Sequence, residues 1–353
     1  MQTNQPNQDQ MILLGVPKVQ YCPEGLTPFP SCLRACANYM GIDVSYDYTM
    51  TASGAAFRLT WDETHWNLGN VDSIYTYDEP ERVFKQGIES IGCNYEFLGR
   101  KKNTQKEEFI TFIKSQIDKG NPVIALGIIG PPEACIITGY RNDGQTLLGW
   151  NFFQDNPEFN STVTFDESGY FISDCWWENT DTVAVMSLEP ADKKMIDIKT
   201  ILSNAITVMT GRKDGNYAKG LLAYDAWIKA VDNDHDFSEE LLLPLLAERL
   251  FTHGDALDCI ADGRYHASIF MKKTAEQYIE QKTLFEQAAS YFMKVFEIHK
   301  KLFEAVGGWE RGEIQMKKFA QPDVRRKTVE LIRQAKANDE KAFECIKQLV
   351  KVL

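Results

Sequence analysis

The sequence predicts an α+β domain followed by an all-α domain, and three observations carry that expectation. In the first half, segments with helical periodicity come first and β-branched apolar runs follow, the order of an α+β rather than an α/β fold. Asn142-Asp143-Gly144 stands between two such runs, a hairpin signal and so a sign of antiparallel strands. Near Leu188–Lys194 the texture then changes, from a chain rich in Gly, Pro, Trp and short apolar runs to one dominated by helical spacing. Glu189-Pro190-Ala191-Asp192-Lys193-Lys194 reads as a linker, which places the domains at 11–188 and 195–353.

The elements follow in chain order. Ser31–Met40 is expected to be a helix capped by Ser31, with Cys32, Ala35, Cys36 and Tyr39 on its apolar face and Gly41 as its stop. Glu79–Ile91 and Lys106–Lys119 have helical spacing, and each is followed by a glycine. Pro122–Ile129 and Ala134–Gly139 are strands by their Val and Ile content, Leu147–Phe152 returns beside the second, and Asp181–Leu188 closes the domain. Beyond the linker, helices are expected over Asp197–Thr210, Tyr217–Val231, Ser238–His253, Asp255–Gln281, Lys282–Val306, Asp323–Ala337 and Asp339–Val352. Leu284, Ala288, Tyr291, Phe292, Val295, Phe296, Lys300 and Phe303 form the stripe of the fifth, broken only by Lys300 and most simply a packing face. No repeat recurs.

Composition narrows the function. The 353 residues are 44% hydrophobic and 25% charged, which suits two globular domains. A net charge of −12 without a basic stripe argues against nucleic acid as a partner, because phosphate binding draws on a basic face. The polar Met1–Gln10 has no secretory pattern and no run is long enough for a membrane span, so a cytoplasmic chain with no membrane contact is expected. Its eight cysteines lack any CxxC pair, and no histidine lies near Cys32 and Cys36, so no metal site and no cofactor are expected. Asp232-Asn233-Asp234-His235-Asp236 lacks the glycine and closing glutamate of a calcium loop and reads as an acidic turn.

Cys32 is the candidate nucleophile. A cysteine opening a helix meets partial positive charge and unpaired amides, which favour thiolate and can hold an oxyanion. The competing reading makes Cys32 and Cys36 small core residues, as free cysteines commonly are. Glu133 follows two prolines that restrict its backbone. With Trp150, Phe152 and Phe153 nearby in sequence, it is a candidate for binding an amine or guanidinium, or for pairing internally with Arg58. Arg58 and Trp61 are further candidates of the same ligand site.

Taken in order, Val16-Pro17 with Gln20, Tyr39-Met40-Gly41, Ser53–Arg58 and Thr138-Gly139-Tyr140 resemble segments of the papain-like (cysteine-proteinase-type) fold. The resemblance is to a group of cysteine peptidases and to the N-terminal domain of butirosin-biosynthesis acyltransferases, and it covers roughly residues 11–188. Asp262-Gly263-Arg264-Tyr265-His266 is similar to the arginine-containing segment of the helical domain that accompanies the latter, which implies a hydrogen-bond node between helices or domains. The resemblance implies a catalytic cysteine at the start of the first helix, an oxyanion glutamine, a histidine and an orienting residue. Gln20 takes the glutamine position and Asn151 the orienting one. The histidine position falls on Glu133. Counting back from Gly41, the cysteine position falls on Pro28, and Cys32 comes one turn later.

Two functions are therefore expected from different classes. The favoured one is a degenerate papain-like module that binds a small molecule or peptide without catalysis. The alternative is a cysteine acyltransferase or amide hydrolase that uses Cys32 with a non-standard base, Glu133 or His65. Glu133 suits that role poorly, since a carboxylate near pKa ~4.3 is mismatched to a thiol near ~8.5.

Overall fold

The computed structural model describes residues 9–22, 25–237 and 242–353. In chain order the elements begin with β1 (Met11–Ile12), α1 (Pro28–Tyr39), α2 (Tyr46–Ala52), β2 (Thr60–Asp62), α3 (Arg82–Ser90) and β3 (Cys93–Gly99). Next come α4 (Lys106–Ile117), β4 (Val123–Leu126), β5 (Ala134–Arg141), β6 (Thr146–Trp150), β7 (Thr164–Phe165), β8 (Phe171–Ser173) and β9 (Ala184–Pro190). The remainder is α5 (Ile198–Met209), β10 (Arg212–Asp214), β11 (Tyr217–Lys219), α6 (Leu221–Val231), α7 (Leu243–Gln277), α8 (Lys282–Val306), α9 (Glu313–Phe319) and α10 (Pro322–Val352). The result is an α+β chain with an antiparallel sheet and a long helical C-terminal region.

The chain forms two compact units, Met1–Thr49 with Gly87–Ile196, and Met50–Gln86 with Asp197–Leu353. Met50–Gln86, which lies inside the expected 11–188 domain, thus belongs with the helices. The cause is its aromatic content and a strand. β2 pairs with β11, and Trp61 stacks on Trp227 of α6 with ring centroids 5.7 Å apart.

In the first unit the large sheet runs β3-β9-β4-β5-β6-β8-β7, with β1 added to β5. Its pairings are antiparallel. β4 is buried throughout and β5 nearly so, because α1 and α4 both pack against this pair. That is why these strands read as unbroken apolar runs rather than alternating ones. The first turn of α4 is fixed by Glu108, whose carboxylate accepts the Gln105 N–H at 2.8 Å. The helix α1 starts three residues before its expected position, at Pro28. Thr27, extended at φ −91°, takes the N-cap position, and proline's fixed φ suits the first helical position. Ser31 is therefore not the cap.

The second unit is built on α7, 35 residues long, and α10, 31 residues long. Each replaces two helices expected from the sequence, although the predicted start at Ser238 lies outside the described residues. α8 covers Lys282–Val306 as the spacing predicted, with Ala288, Phe292, Val295 and Phe303 buried. Tyr217–Lys219 is a strand rather than the start of α6. The core joins Trp61, Trp66, Tyr224 and Trp227 to Leu246, Leu250, Leu257 and Ile260 of α7 and to Ile332 and Ala335 of α10. Among the described residues, no helix is long and apolar enough to cross a membrane.

Candidate functional site

Cys32 sits in the second turn of α1 and is 0% exposed, as is Cys36 one turn on. Burial pushes the Cys32 thiol well above its ordinary range, and the neighbouring Cys36, Cys135 and Glu133 push it further in the same direction. Cys135, facing them from β5, is pushed up to about 12 by burial. A nucleophilic thiol requires the opposite shift and solvent access. The face with Cys32 and Cys36 is core. The start of the helix, where thiolate chemistry would be favoured, is Thr27-Pro28-Phe29-Pro30. Pro28 and Pro30 have no N–H, and Thr27 N–H donates to the Tyr46 hydroxyl at 2.9 Å.

Glu133 and Asn151 belong to the connections at the ends of β5 and β6. Glu133 is half-buried. Its carbonyl accepts the Gly127 N–H at 2.9 Å, and its own N–H donates to Pro131 O at 2.7 Å. The carboxylate charge opposes ionisation of Cys32, which is the wrong electrostatic sense for a thiol-activating partner. Asn151 is 3% exposed, and its amide is committed to backbone. The Nδ2 donates to Gly127 O at 2.9 Å, and the Oδ1 accepts from Phe153 N–H at 2.8 Å. The Cys135 thiol donates to the same Gly127 carbonyl at 3.4 Å. Asn151 thus ties the two loops together rather than orienting a base. Between them Ile128 holds φ 69°, an uncommon conformation for a β-branched side chain, and its N–H donates to Thr182 Oγ1 at 3.1 Å.

On the outside of these loops lies an aromatic surface. Tyr21, 47% exposed, meets Phe152 at a centroid distance of 4.8 Å and Phe153 at 5.9 Å. Phe153 in turn meets Phe159 at 5.4 Å, and both close over Gly130. Trp150 is 7% exposed, and its Nε1 donates to Val16 O at 2.8 Å, holding the Val16–Cys22 segment against β6. Along that segment a pocket of about 130 Å³ opens at the start of α1, lined by Lys18, Val19, Gln20, Cys22, Gly25, Ser31 and Arg34. Of the sequence candidates, the structure brings Gln20 into this pocket and sets Phe152 against Tyr21. Lys18, Tyr21, Ser31 and Arg34 were not recognised as site residues from sequence. Only the Pro28-x-Pro30 spacing, which places Ser31 and Arg34 on the first two turns, signals them.

Arg58 and Trp61 belong to the second unit and are used structurally there. Arg58 donates from Nη1 to Ala55 O at 2.9 Å and from Nε to Val71 O at 3.0 Å. Trp61 is 1% exposed, between the rings of Trp227 and Trp66. A second cavity of about 580 Å³ has Trp61, Asp62, Glu63, His65, Trp66 and Arg249 among its lining residues. Much of its charge is internally paired: Glu63 with Lys213, Glu248 with Arg249, and Asp236 with the Trp66 indole. His65 has a 78% exposed side chain and its Nδ1 lies 2.8 Å from Thr64 Oγ1. The acidic turn is a short 3₁₀ segment, Asp234–Phe237. Among the described residues no group of His, Cys, Asp and Glu could hold a metal ion. No protein-family model and no curated protein matches the chain.

Proposed function

We propose that the first unit is a degenerate papain-like module that binds a small molecule or peptide and performs no covalent chemistry. The observation that carries the reading is the start of α1. Pro28 stands where the resemblance puts a nucleophilic cysteine, and it supplies neither a thiol nor an amide for an oxyanion. What remains of the cleft supports binding. The rings of Tyr21, Phe152 and Phe153 meet one another, none of them fully buried, and a pocket has Gln20 in its lining; sites of this kind bind ligands through apolar contact oriented by a few polar groups. The packing of α1 against β4 and β5 of an antiparallel sheet is compatible with the papain-like arrangement. A cytoplasmic location and the absence of a nucleic-acid partner belong to the same reading.

Alkylation of the native protein with iodoacetamide, read by peptide mass spectrometry, tests the non-catalytic part. Exposed Cys175 and half-buried Cys22 react, and Cys32 reacts only after unfolding. Rapid labelling of Cys32 below pH 7 would overturn the reading. Benzyl alcohol, followed by ligand-observed NMR, tests the wall: Tyr21→Ala and Phe152→Ala weaken its binding several-fold.

A further inference from the structure

The cavity of about 580 Å³ in the second unit is large enough for a whole small molecule, since complete ligand sites run from ~300 to ~1,000 Å³. Its lining holds five carboxylates, Asp62, Glu63, Asp232, Asp236 and Glu248, against two cations, Lys229 and Arg249. Internal pairing leaves the excess in place. Glu63 pairs with Lys213 and Glu248 with Arg249, so Asp62, Asp232 and Asp236 stand against Lys229 alone. The undescribed residues 238–241 include Glu239 and Glu240 and no cation, so they cannot reverse the sign. The Arg249 guanidinium is committed: it donates to the carbonyls of Asp236 and Leu245 and to Glu248, with Cζ 5.8 Å from the centre of the Trp66 ring.

Acceptors on this wall remain open. Asp232 has no side-chain partner among the described residues. Asp236 accepts the Trp66 indole N–H on Oδ2 at 3.1 Å and keeps Oδ1. Asp62 supplies charge rather than contacts. Against the cost of its burial, hydrogen bonds from Thr64, Asn67 and the His65 N–H hold its carboxyl below the ordinary range. An ionised carboxylate only accepts, so the Thr64 hydroxyl donates to Asp62 Oδ1 at 2.7 Å and accepts in turn from His65 Nδ1 at 2.8 Å. The neutral imidazole therefore carries its lone pair on Nε2, on a side chain that lines the cavity.

The second observation is independent of the carboxylates and concerns a donor. Trp61 is 1% exposed, packed by the rings of Trp227 and Trp66, and its indole N–H makes no hydrogen bond among the described residues. The indole N–H groups of both neighbours are paired, Trp66 with Asp236 and Trp227 with His253 Nδ1 at 3.2 Å. The Trp61 nitrogen is not one of the fully enclosed unpaired atoms, and Trp61 lines the cavity. The sliver of surface that this ring keeps thus includes its N–H edge. A buried indole N–H ordinarily finds an acceptor, and here the cavity is the space that can hold one.

We propose that this cavity binds a small organic cation, an amine whose ammonium group meets Asp232, Asp236 and His65 Nε2 and whose hydroxyl or carbonyl oxygen accepts the Trp61 indole N–H. An ammonium has three donors and no acceptor, which suits a wall of carboxylates and one imidazole lone pair. The single donor opposite asks for an oxygen on the same molecule. This site belongs to the second unit and does not depend on the cleft of the first.

The test uses the full chain at neutral pH and three probes of one frame: phenylethanolamine, which has both an ammonium and a hydroxyl, phenethylamine, which has only the ammonium, and phenethyl alcohol, which has no charge. Affinities are read by NMR titration, and the Trp61 contact by its indole N–H signal, assigned through bonds so that the buried ring stays intact. Phenethylamine binds at least tenfold tighter than phenethyl alcohol, and phenylethanolamine severalfold tighter again while moving the Trp61 N–H signal downfield. Asp232→Asn and Asp236→Asn each weaken both amines severalfold and leave phenethyl alcohol unchanged; the second keeps an acceptor for the Trp66 indole. Equal binding of all three probes, or amine binding untouched by both substitutions, overturns the amine assignment. Amine binding with the Trp61 signal unmoved overturns the indole contact, and binding by none of the three overturns the site.

Discussion

Arg264 of α7 and Asp339 of α10 form a two-pronged ion pair in the core of the helical unit. Arg264 Nη2 and Nε lie 2.7 and 2.9 Å from Asp339 Oδ2, and the two side chains are 2% and 0% exposed. The remaining valences are filled. Arg264 Nη1 donates to the carbonyls of Ala56 and Arg58 at 3.0 and 2.9 Å, and the Tyr224 hydroxyl donates to Asp339 at 2.7 Å. This is the interhelix node that the Asp262–His266 segment implied, and it reaches the Ala56–Arg58 backbone as well.

Removing one partner leaves a buried charge uncompensated. Asp339→Ala and Arg264→Ala are each expected to lower unfolding free energy by ~3–5 kcal/mol. Urea unfolding followed by far-ultraviolet circular dichroism checks this. A loss below ~1 kcal/mol would mean that water reaches the pair.

Asn151 is expected to act on stability. Asn151→Ala strips the Phe153 N–H of its side-chain partner and takes one donor from the Gly127 carbonyl, which keeps the Ile129 N–H and the Cys135 thiol. The cost of leaving such groups unsatisfied is ~1–3 kcal/mol. Thermal unfolding of the variant measures it, and the near-isosteric Asn151→Asp, which keeps the acceptor but sets a buried carboxylate oxygen against the Gly127 carbonyl, should destabilise at least as much.

His253 makes stability depend on pH. It is fully buried in α7, accepts the Trp227 indole N–H at 3.2 Å and stacks on Phe319. Burial and the Arg311 charge bring its pKa down to about 3. Because the folded value lies below the unfolded value of ~6.5, the unfolded chain binds the proton first. The contribution is present in full above pH ~6.5 and is lost as pH falls through that value toward the folded pKa. Asp72 and Asp258, both raised to about 6 by burial, act in the opposite sense, so the difference between wild type and variant isolates the histidine. His253→Leu should flatten the fall in urea midpoint between pH 6.5 and 4.5; an unchanged slope would assign that fall to other groups.

Gly263 stands mid-helix in α7. A Cβ there would lie 2.5 Å from Ala56 O, so the glycine serves a close approach of backbone to helix. Gly263→Ala is expected to destabilise, although alanine is the better helix former by ~1 kcal/mol in an open helix. The sign of the change in melting temperature decides between packing and propensity.

Much of the secondary structure was legible because it rests on local signals. Val and Ile content located β4 and β5, the Asn142-Asp143-Gly144 turn joined β5 to β6, and a stripe broken only by Lys300 marked α8 to its ends. The misreadings have a common cause, which is that polar and small residues carry two meanings. Asp339 stands at the start of an expected helix until Arg264 is seen to neutralise it inside α10. Trp61 resembles a ligand platform until Trp227 is seen to cover it. Cys32 resembles a helix-opening nucleophile until Pro28 is seen to start the helix a turn earlier.

By itself the sequence determined that this is an α+β chain with a helical C-terminal region, and that the segment around Glu133 lacks the histidine of its nearest resemblance. Those are statements about spacing and residue type, which the chain carries locally. Only the tertiary structure decided that Met50–Gln86 belongs with the helices, that Cys32 is closed off from solvent, and that Lys18, Ser31 and Arg34 share one pocket. Burial and convergence depend on contacts between residues far apart in the chain, and no local pattern encodes which side chains will meet.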